Sequence, residues 1–145
     1  MQQTIVKVLC AIGQSGQLGL EGRMPWEGDR RREFVIDVAR FFEITRGHVL
    51  VAGPRTIASV PQFARTDREL LELRSSMEPE EVLKRFAGRV VFVGGGPRVW
   101  NAYARFVSHW DITRLPYDGP ADRWFDPSWL TTGTAKRDEH LRRGT

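Results

Sequence analysis

Arg89-Val90-Val91-Phe92-Val93-Gly94-Gly95-Gly96-Pro97-Arg98-Val99-Trp100 decides how the chain is read. Val90 to Val93 is an unbroken apolar run rich in β-branched residues, the pattern of a strand buried on both faces. It breaks into three glycines, and a helix is predicted to follow over Val99 to Val107. Glycine lets a ligand's phosphate approach the main chain because no Cβ stands in the way. A helix N-terminus adds unpaired N–H groups and the positive end of its dipole. Arg98, in the first turn, contributes a cation for charge-assisted contact. The stretch is neither a G-x-G-x-x-G fingerprint nor a P-loop. A tight turn that binds nothing is the structural alternative.

The same punctuation recurs upstream. His48 to Ala52 reads as a second buried strand, ending at Gly53-Pro54, and Arg55 to Val60 begins a helix. Gly53-Pro54-Arg55-Thr56 therefore repeats the phosphate-binding logic, with Thr56 as a hydroxyl donor and Arg55 as a cation. Two such junctions point to a dinucleotide lying across the C-terminal ends of neighbouring strands. Thr4 to Ile12 and Trp110 to Leu115 are two further strands, and Pro79 to Phe86 is a helix. Phe34, Asp37, Val38, Phe41 and Phe42 recur at three- and four-residue intervals, predicting a helix over Asp29 to Thr45 with Asp29 as N-cap and Gly47 as the stop. Gly13 to Gly28 holds five glycines and is read as a long functional loop. Between Pro61 and Ser76 two readings compete. Thr66-Asp67-Arg68-Glu69 matches a capping box opening a helix, and Leu70-Leu71-Glu72-Leu73 matches an edge strand.

Strands alternating with helices give one α/β domain over residues 1–145 in three layers: a central, mostly parallel twisted sheet with helices on both faces. A polar tail follows from about residue 131. With 41% hydrophobic and 28% charged residues, the composition is that of an ordinary globular chain. No apolar run approaches the ~20 residues of a membrane span. Met1-Gln2-Gln3 lacks the basic start of a signal peptide. Cys10 is the single cysteine, so the expected home is a reducing cytoplasm. The formal charge of +4 suits anionic ligands, although much of it sits in Arg30-Arg31-Arg32 and in the tail from Lys136 to Arg143, where a solvated face accounts for it. No metal-ligand pattern is evident.

Leu18-Gly19-Leu20-Glu21-Gly22-Arg23-Met24-Pro25-Trp26, in the long loop, closely resembles the mobile active-site loop of dihydrofolate reductases. The resemblance continues in order through Asp37-x-x-x-Phe41, Thr45, Gly53-x-x-Thr56, Gly95-Gly96-x-x-Val99, Ile112-Thr113 and Asp122-x-x-Phe125. It covers residues 4–60 and 88–128. It implies a dihydrofolate-reductase-like fold and NADPH-dependent reduction of 7,8-dihydrofolate to tetrahydrofolate, with hydride delivered to pterin C6 and a proton to N5. By that resemblance Asp37 would bind the 2-amino group and N3 of the pterin and help supply the proton. Thr113 would hydrogen-bond and orient Asp37, and Trp26 would hold an ordered water. Phe41, Leu9 and Ala11 would line the substrate pocket, Ala11 also meeting the nicotinamide. Leu18, Gly19 and Met24 would close over the nicotinamide. Gly53, Thr56, Gly95, Gly96, Arg98 and Val99 would take the phosphates and riboses, and Arg55 the 2′-phosphate that favours NADPH over NADH.

Helical spacing independently sets Asp37 on one face with Phe34 and Phe41, although a surface Asp, or one paired with Arg40, fits the same spacing. The sequence also departs from the family's pattern. Ten residues separate Trp26 from Asp37, about twice the usual number, which makes Glu33 a rival acid. Asp37 keeps the spacing to Phe41, Thr45 and Gly53. Pro54 stands where the motif commonly has arginine, and Trp100 replaces a smaller aromatic. Residues 61–87 and the segment after Leu130 look shortened. For the arginine that would meet the glutamate tail of folate, Arg68 is the first candidate and Arg65 the second. Three alternatives stand beside dihydrofolate reduction: a pyrimidine or pterin reductase of the same fold, as in the riboflavin pathway; a nucleotide-binding relative without turnover; and a basic nucleic-acid-binding module using its tryptophans. The expected partner is a small pterin rather than nucleic acid or membrane, and a monomer is the working expectation.

Overall fold

The computed structural model describes residues 3–132 and 135–141. In chain order the elements are β1 (Ile5–Ile12), β2 (Gln17–Gly19), α1 (Arg32–Thr45), β3 (Val49–Ala52), α2 (Pro54–Ala58), β4 (Glu69–Glu72), α3 (Pro79–Lys84), β5 (Val90–Val93), α4 (Pro97–Tyr103), β6 (His109–Arg114), β7 (Arg123–Trp124) and β8 (Lys136–Leu141). Short 3-10 turns occupy Gln62–Ala64, Ala104–Phe106 and Pro127–Thr131. Six strands form one sheet in the order β4-β3-β5-β1-β6-β8. Every neighbouring pair in it is parallel. Strands β2 and β7 make a separate antiparallel ribbon.

The apolar runs explain the centre of the sheet. All four residues of β3 are buried, as are Val91 to Val93 of β5. Such strands are covered on both sides, because parallel pairing requires crossovers that bring helices over each face. In β1 the period of two divides the core. Val6, Val8 and Ile12 face α3, α4 and the 3-10 turns, meeting Val82, Leu83, Trp100, Tyr103 and Trp129. Leu9 joins Leu50, Phe92, Val60 and Ala64 on the opposite face, beneath α1.

An aromatic cluster locks the first face. Trp110 and Trp129 stack at 6.3 Å with 3° between planes. Trp100 meets Trp129 edge-on at 5.4 Å and donates its indole N–H to the Val93 carbonyl. Truncating any of these rings to alanine is expected to cost about 3–5 kcal/mol. Trp26 is buried elsewhere, which leaves Trp124 as the one exposed ring among the five tryptophans.

Three expectations change. The first helix starts at Arg32, because Asp29 does not cap it: its carboxylate accepts from the Arg31 amide and pairs with the Arg31 guanidinium at 2.9 Å. In the middle segment the edge strand prevails over the capping box, since Glu69 to Glu72 pair in parallel with β3. Lys136 to Leu141, read only as a polar tail, form the opposite edge beside β6 with all six residues exposed. Residues 142–145, including Arg143 of the basic tail, lie outside the described residues.

Candidate functional site

Register brings three of the predicted site residues, Leu9, Ala11 and Thr113, onto one face. Leu9 pairs with Asp111 and Ala11 with Thr113 across β1 and β6. Side chains at these alternate positions point to the face that α1 crosses. Phe34 near the start of α1 packs with Trp26 and Leu115 in a cluster that also takes in Ala11 and Tyr117. Phe41 and Phe42, two turns later, pack on the Leu9 cluster. Asp37 lies one turn from each aromatic group, half-buried at the seam between them. Glu33, its rival, is buried in the first turn of α1, where the helix dipole favours an acid and where Arg31 feels its charge.

Thr113 departs from its expected role. Its hydroxyl is buried and has no hydrogen-bond partner among the described residues, so it does not hold Asp37 here. A buried orphan hydroxyl of this kind is normally completed by water or ligand. Two polar side chains beside it, Asp111 and His140, were not singled out in the sequence. Asp111 accepts a 2.7 Å bond from Arg40 of α1, and its other carboxylate oxygen faces His140 of β8 at 3.3 Å. Neither contact is legible locally, since Arg40 and Asp111 are 71 residues apart. Cys10 lies at this point of β1. Burial first, and then the charges of Asp37 and Asp111, push its thiol well above the ordinary range. It stays protonated near neutral pH and is a poor nucleophile.

The Gly13–Gly28 loop is more ordered than expected. Gln17, 1% exposed, accepts from the Ser15 amide and donates to Asp118 and to the Gly119 carbonyl. Hydrogen bonds from Ser15 and Gln17 hold the exposed Asp118 carboxyl below the usual carboxylate range. Leu20 and Arg23 bond each other through N–H and C=O around a two-residue turn in which Glu21 and Gly22 both have positive φ, 53° and 81°. That is a type I′ hairpin. The Asp122 carboxylate accepts the Glu21 amide at 2.9 Å, tying the tip to the segment before β7. Leu18 packs on the main core, Gly19 backs onto the Arg123 side chain, and Met24 is exposed. Trp26 is buried, with ring centroids 6.0 Å from Phe34 and 5.6 Å from Tyr117.

The two glycine junctions adjoin. The Gly53 amide donates to the Gly95 carbonyl at 3.1 Å, and the peptide between Gly95 and Gly96 is cis. A Cβ at Gly96 would meet nothing within 4 Å, and one at Gly95 only the Thr56 hydroxyl, at 3.9 Å. Gly94 is different, since a Cβ there would lie 3.0 Å from Ala52. Gly95 and Gly96 thus border open space beside Thr56, and the exposed Arg98 is the second residue of the next helix. Residues of this kind fit a phosphate-bearing cofactor. Arg55 lays its guanidinium against Gly22 of the loop, 1.9 Å from where a Cβ would stand. Among the described residues no group of three His, Cys, Asp or Glu side chains is placed to hold a metal ion, and no helix is long and apolar enough to cross a membrane.

Both candidate arginines for a glutamate tail are already committed. Arg68, its side chain 1% exposed, donates to the Thr45 hydroxyl and to Asp67 and lies over the Phe42 ring. Arg65 bonds the Val60 and Ile57 carbonyls. A groove of about 220 Å³ runs beside them, lined by Ala39, Phe42, Glu43, Arg46, Phe63, Asp67 and Arg68. A larger concavity, about 530 Å³, lies on the far face near Asn101 and Trp129, away from these residues.

No family model matches the chain. Dihydromethanopterin reductase of Methylorubrum extorquens is 62% identical over 128 residues, which are 88% of this chain and 95% of that protein.

Proposed function

Because the chain belongs to the dihydromethanopterin reductase family, we propose that it reduces a 7,8-dihydropterin to its tetrahydro form with NADPH, and that dihydromethanopterin rather than dihydrofolate is the substrate. The observation that carries the reading is Asp37, a half-buried carboxylate between two aromatic clusters on the face that bears Ala11 and Thr113. A flat heterocycle with adjacent N–H donors is the kind of ligand such a carboxylate binds, the apolar walls taking its faces. The commitment of Arg68 and Arg65 to internal partners supports the shift away from folate, because neither guanidinium is free for a glutamate tail.

In this reading Asp37 accepts hydrogen bonds from N3 and the 2-amino group, orienting the ring. It also provides the proton that reaches N5, through water. Thr113, whose hydroxyl lacks a partner among the described residues, completes its bonding on the pterin or that water. Trp26, wedged against Phe34 and Tyr117, keeps bulk solvent from the acid. Gly53, Thr56, Gly95, Gly96, Arg98 and Val99 hold the phosphates and riboses of the cofactor. Arg55 lies against the Leu20–Arg23 hairpin, and in this reading that loop closes over the nicotinamide. When bound, NADPH supplies the hydride equivalent for C6. Positioned acid catalysis of this kind typically contributes about 10²–10⁴-fold in rate.

The test is NADPH consumption by the purified protein with dihydromethanopterin or dihydrofolate, alongside Asp37→Asn. Turnover that depends on the dihydropterin and collapses in the variant supports the reading. Undiminished turnover in Asp37→Asn removes Asp37 from it.

A further inference from the structure

We propose that Asp111 is a positioning residue that sets the working pH of the acid at Asp37 by holding the charge of Arg40. The inference rests on the reading of Asp37 as the proton source. Arg40 follows Asp37 by three residues on α1, so their Cβ atoms are about 5–6 Å apart on one helix surface. Its guanidinium is anchored across the sheet by Asp111 at 2.7 Å. The side chains of Arg40 and Asp111 are 23% and 18% exposed, so solvent screens the pair only in part. The other Asp111 oxygen is fully shielded, has no hydrogen bond among the described residues, and faces His140 at 3.3 Å. The charges of Asp37 and Asp111 both push the same Cys10 thiol up.

The surrounding charges define the balance. On the sheet face under α1 stand Lys7 of β1, His109 and Asp111 of β6, and Lys136, Asp138 and His140 of β8. His109 is paired with Asp138 at 3.0 Å. Helix α1 itself carries Glu33 and Arg40 beside Asp37. Cys10 is on the other side of β1 and uncharged. With Asp111 in place, the positive charge next to Asp37 is matched by a negative one. Removing Asp111 leaves Arg40 unmatched and favours ionised Asp37. Removing Arg40 leaves Asp111 unmatched and favours protonated Asp37.

The two substitutions therefore shift the enzyme in opposite directions. A required acid makes kcat/KM fall as pH rises through its titration. In Asp111→Asn that fall is expected about one pH unit lower than in the wild type, and in Arg40→Gln about one unit higher, the size expected for a charge this close. The double variant returns to near the wild-type position even where its kcat is reduced. His140→Lys, on an exposed edge strand, adds a permanent cation opposite Asp111 and shifts the fall downward without opening the core.

The experiment is a set of pH–rate profiles of the full-length protein with dihydropterin and NADPH, for the wild type, these four variants and Asp37→Asn. Opposite shifts in the single variants with return in the double establish the proposal. Should a single variant fail to fold, a downward shift in His140→Lys supports it and an unmoved profile overturns it. Equal losses of kcat with unmoved profiles reduce the pair to a structural strut and overturn it. An Asp37→Asn profile that still falls as in the wild type overturns the reading of Asp37 itself, whereas a flat one beside unshifted Asp111→Asn and Arg40→Gln profiles overturns only the role of Asp111.

Discussion

Gly22→Ala is the substitution whose consequence follows most directly from the geometry of the loop. Gly22 has φ of 81° at the second central position of the Leu20–Arg23 hairpin. A residue with a Cβ held in the left-handed region costs about 1–2 kcal/mol. The new methyl group would also stand 1.9 Å from Arg55 Nη1 and 3.0 Å from its Cζ, so the guanidinium has to leave. Arg55 is exposed and its tip is free to swing, which keeps the added steric cost small. A cost of 1–2 kcal/mol raises the hairpin's opening constant by about 5–30-fold. Amide hydrogen exchange reads that constant, and the Leu20 and Arg23 amides, bonded at 2.7 and 3.0 Å, are the reporters. Their protection should fall by that factor while amides of β1 and β5 are unchanged. Gly16→Ala, with φ of 91° and no atom within 4 Å of its Cβ, is the control for backbone strain without a neighbour. Dihydropterin turnover should fall by no more than the loop's protection does. Unchanged protection at Leu20 and Arg23 would refute the argument, as would an equal loss throughout the sheet.

Three further outcomes are expected. Asp37→Asn should lower kcat by about 10²–10⁴-fold near neutral pH, whereas Glu33→Gln should retain most of it; the reverse ranking in steady-state assays would move the acid to Glu33. Gly53→Ala, at φ −67° and ψ 169° with its nearest contact 3.7 Å away, should leave thermal stability almost unchanged and raise the KM for NADPH, while Gly94→Ala should destabilise the fold by crowding Ala52. Equal melting temperatures and equal cofactor KM values for those two variants would contradict the assignment. Arg68→Ala removes charged hydrogen bonds to Thr45 and Asp67 and should cost about 2–3 kcal/mol in urea unfolding with little change in pterin KM; a raised KM without lost stability would return Arg68 to the substrate.

What the sequence reveals depends on how each element is stabilised. Strands β3 and β5 are legible because burial on both faces demands apolar runs such as Val49-Leu50-Val51-Ala52, and β1 and β6 because Val6, Val8, Ile12, Trp110 and Ile112 alternate toward one core. The two glycine junctions are legible because a tight turn from a buried strand into a helix restricts residue type. Strand β8 is illegible, since Lys136-Arg137-Asp138-Glu139-His140-Leu141 is exposed throughout and held by pairing with β6. The start of α1 is misread because a neighbouring arginine takes the carboxylate of Asp29. Asp111, His140 and the buried partners of Arg68 depend on contacts between distant segments, which no local spacing encodes. The same applies to Arg55, whose contact with Gly22 exists only once the loop has folded over α2.

The most direct measurement is the loss of reduced-nicotinamide absorbance when purified protein and NADPH are given dihydromethanopterin or dihydrofolate in parallel. Dihydropterin-dependent oxidation is expected, faster with dihydromethanopterin and about 10²–10⁴-fold slower with either dihydropterin in Asp37→Asn. Folded protein that oxidises NADPH with neither dihydropterin would contradict it.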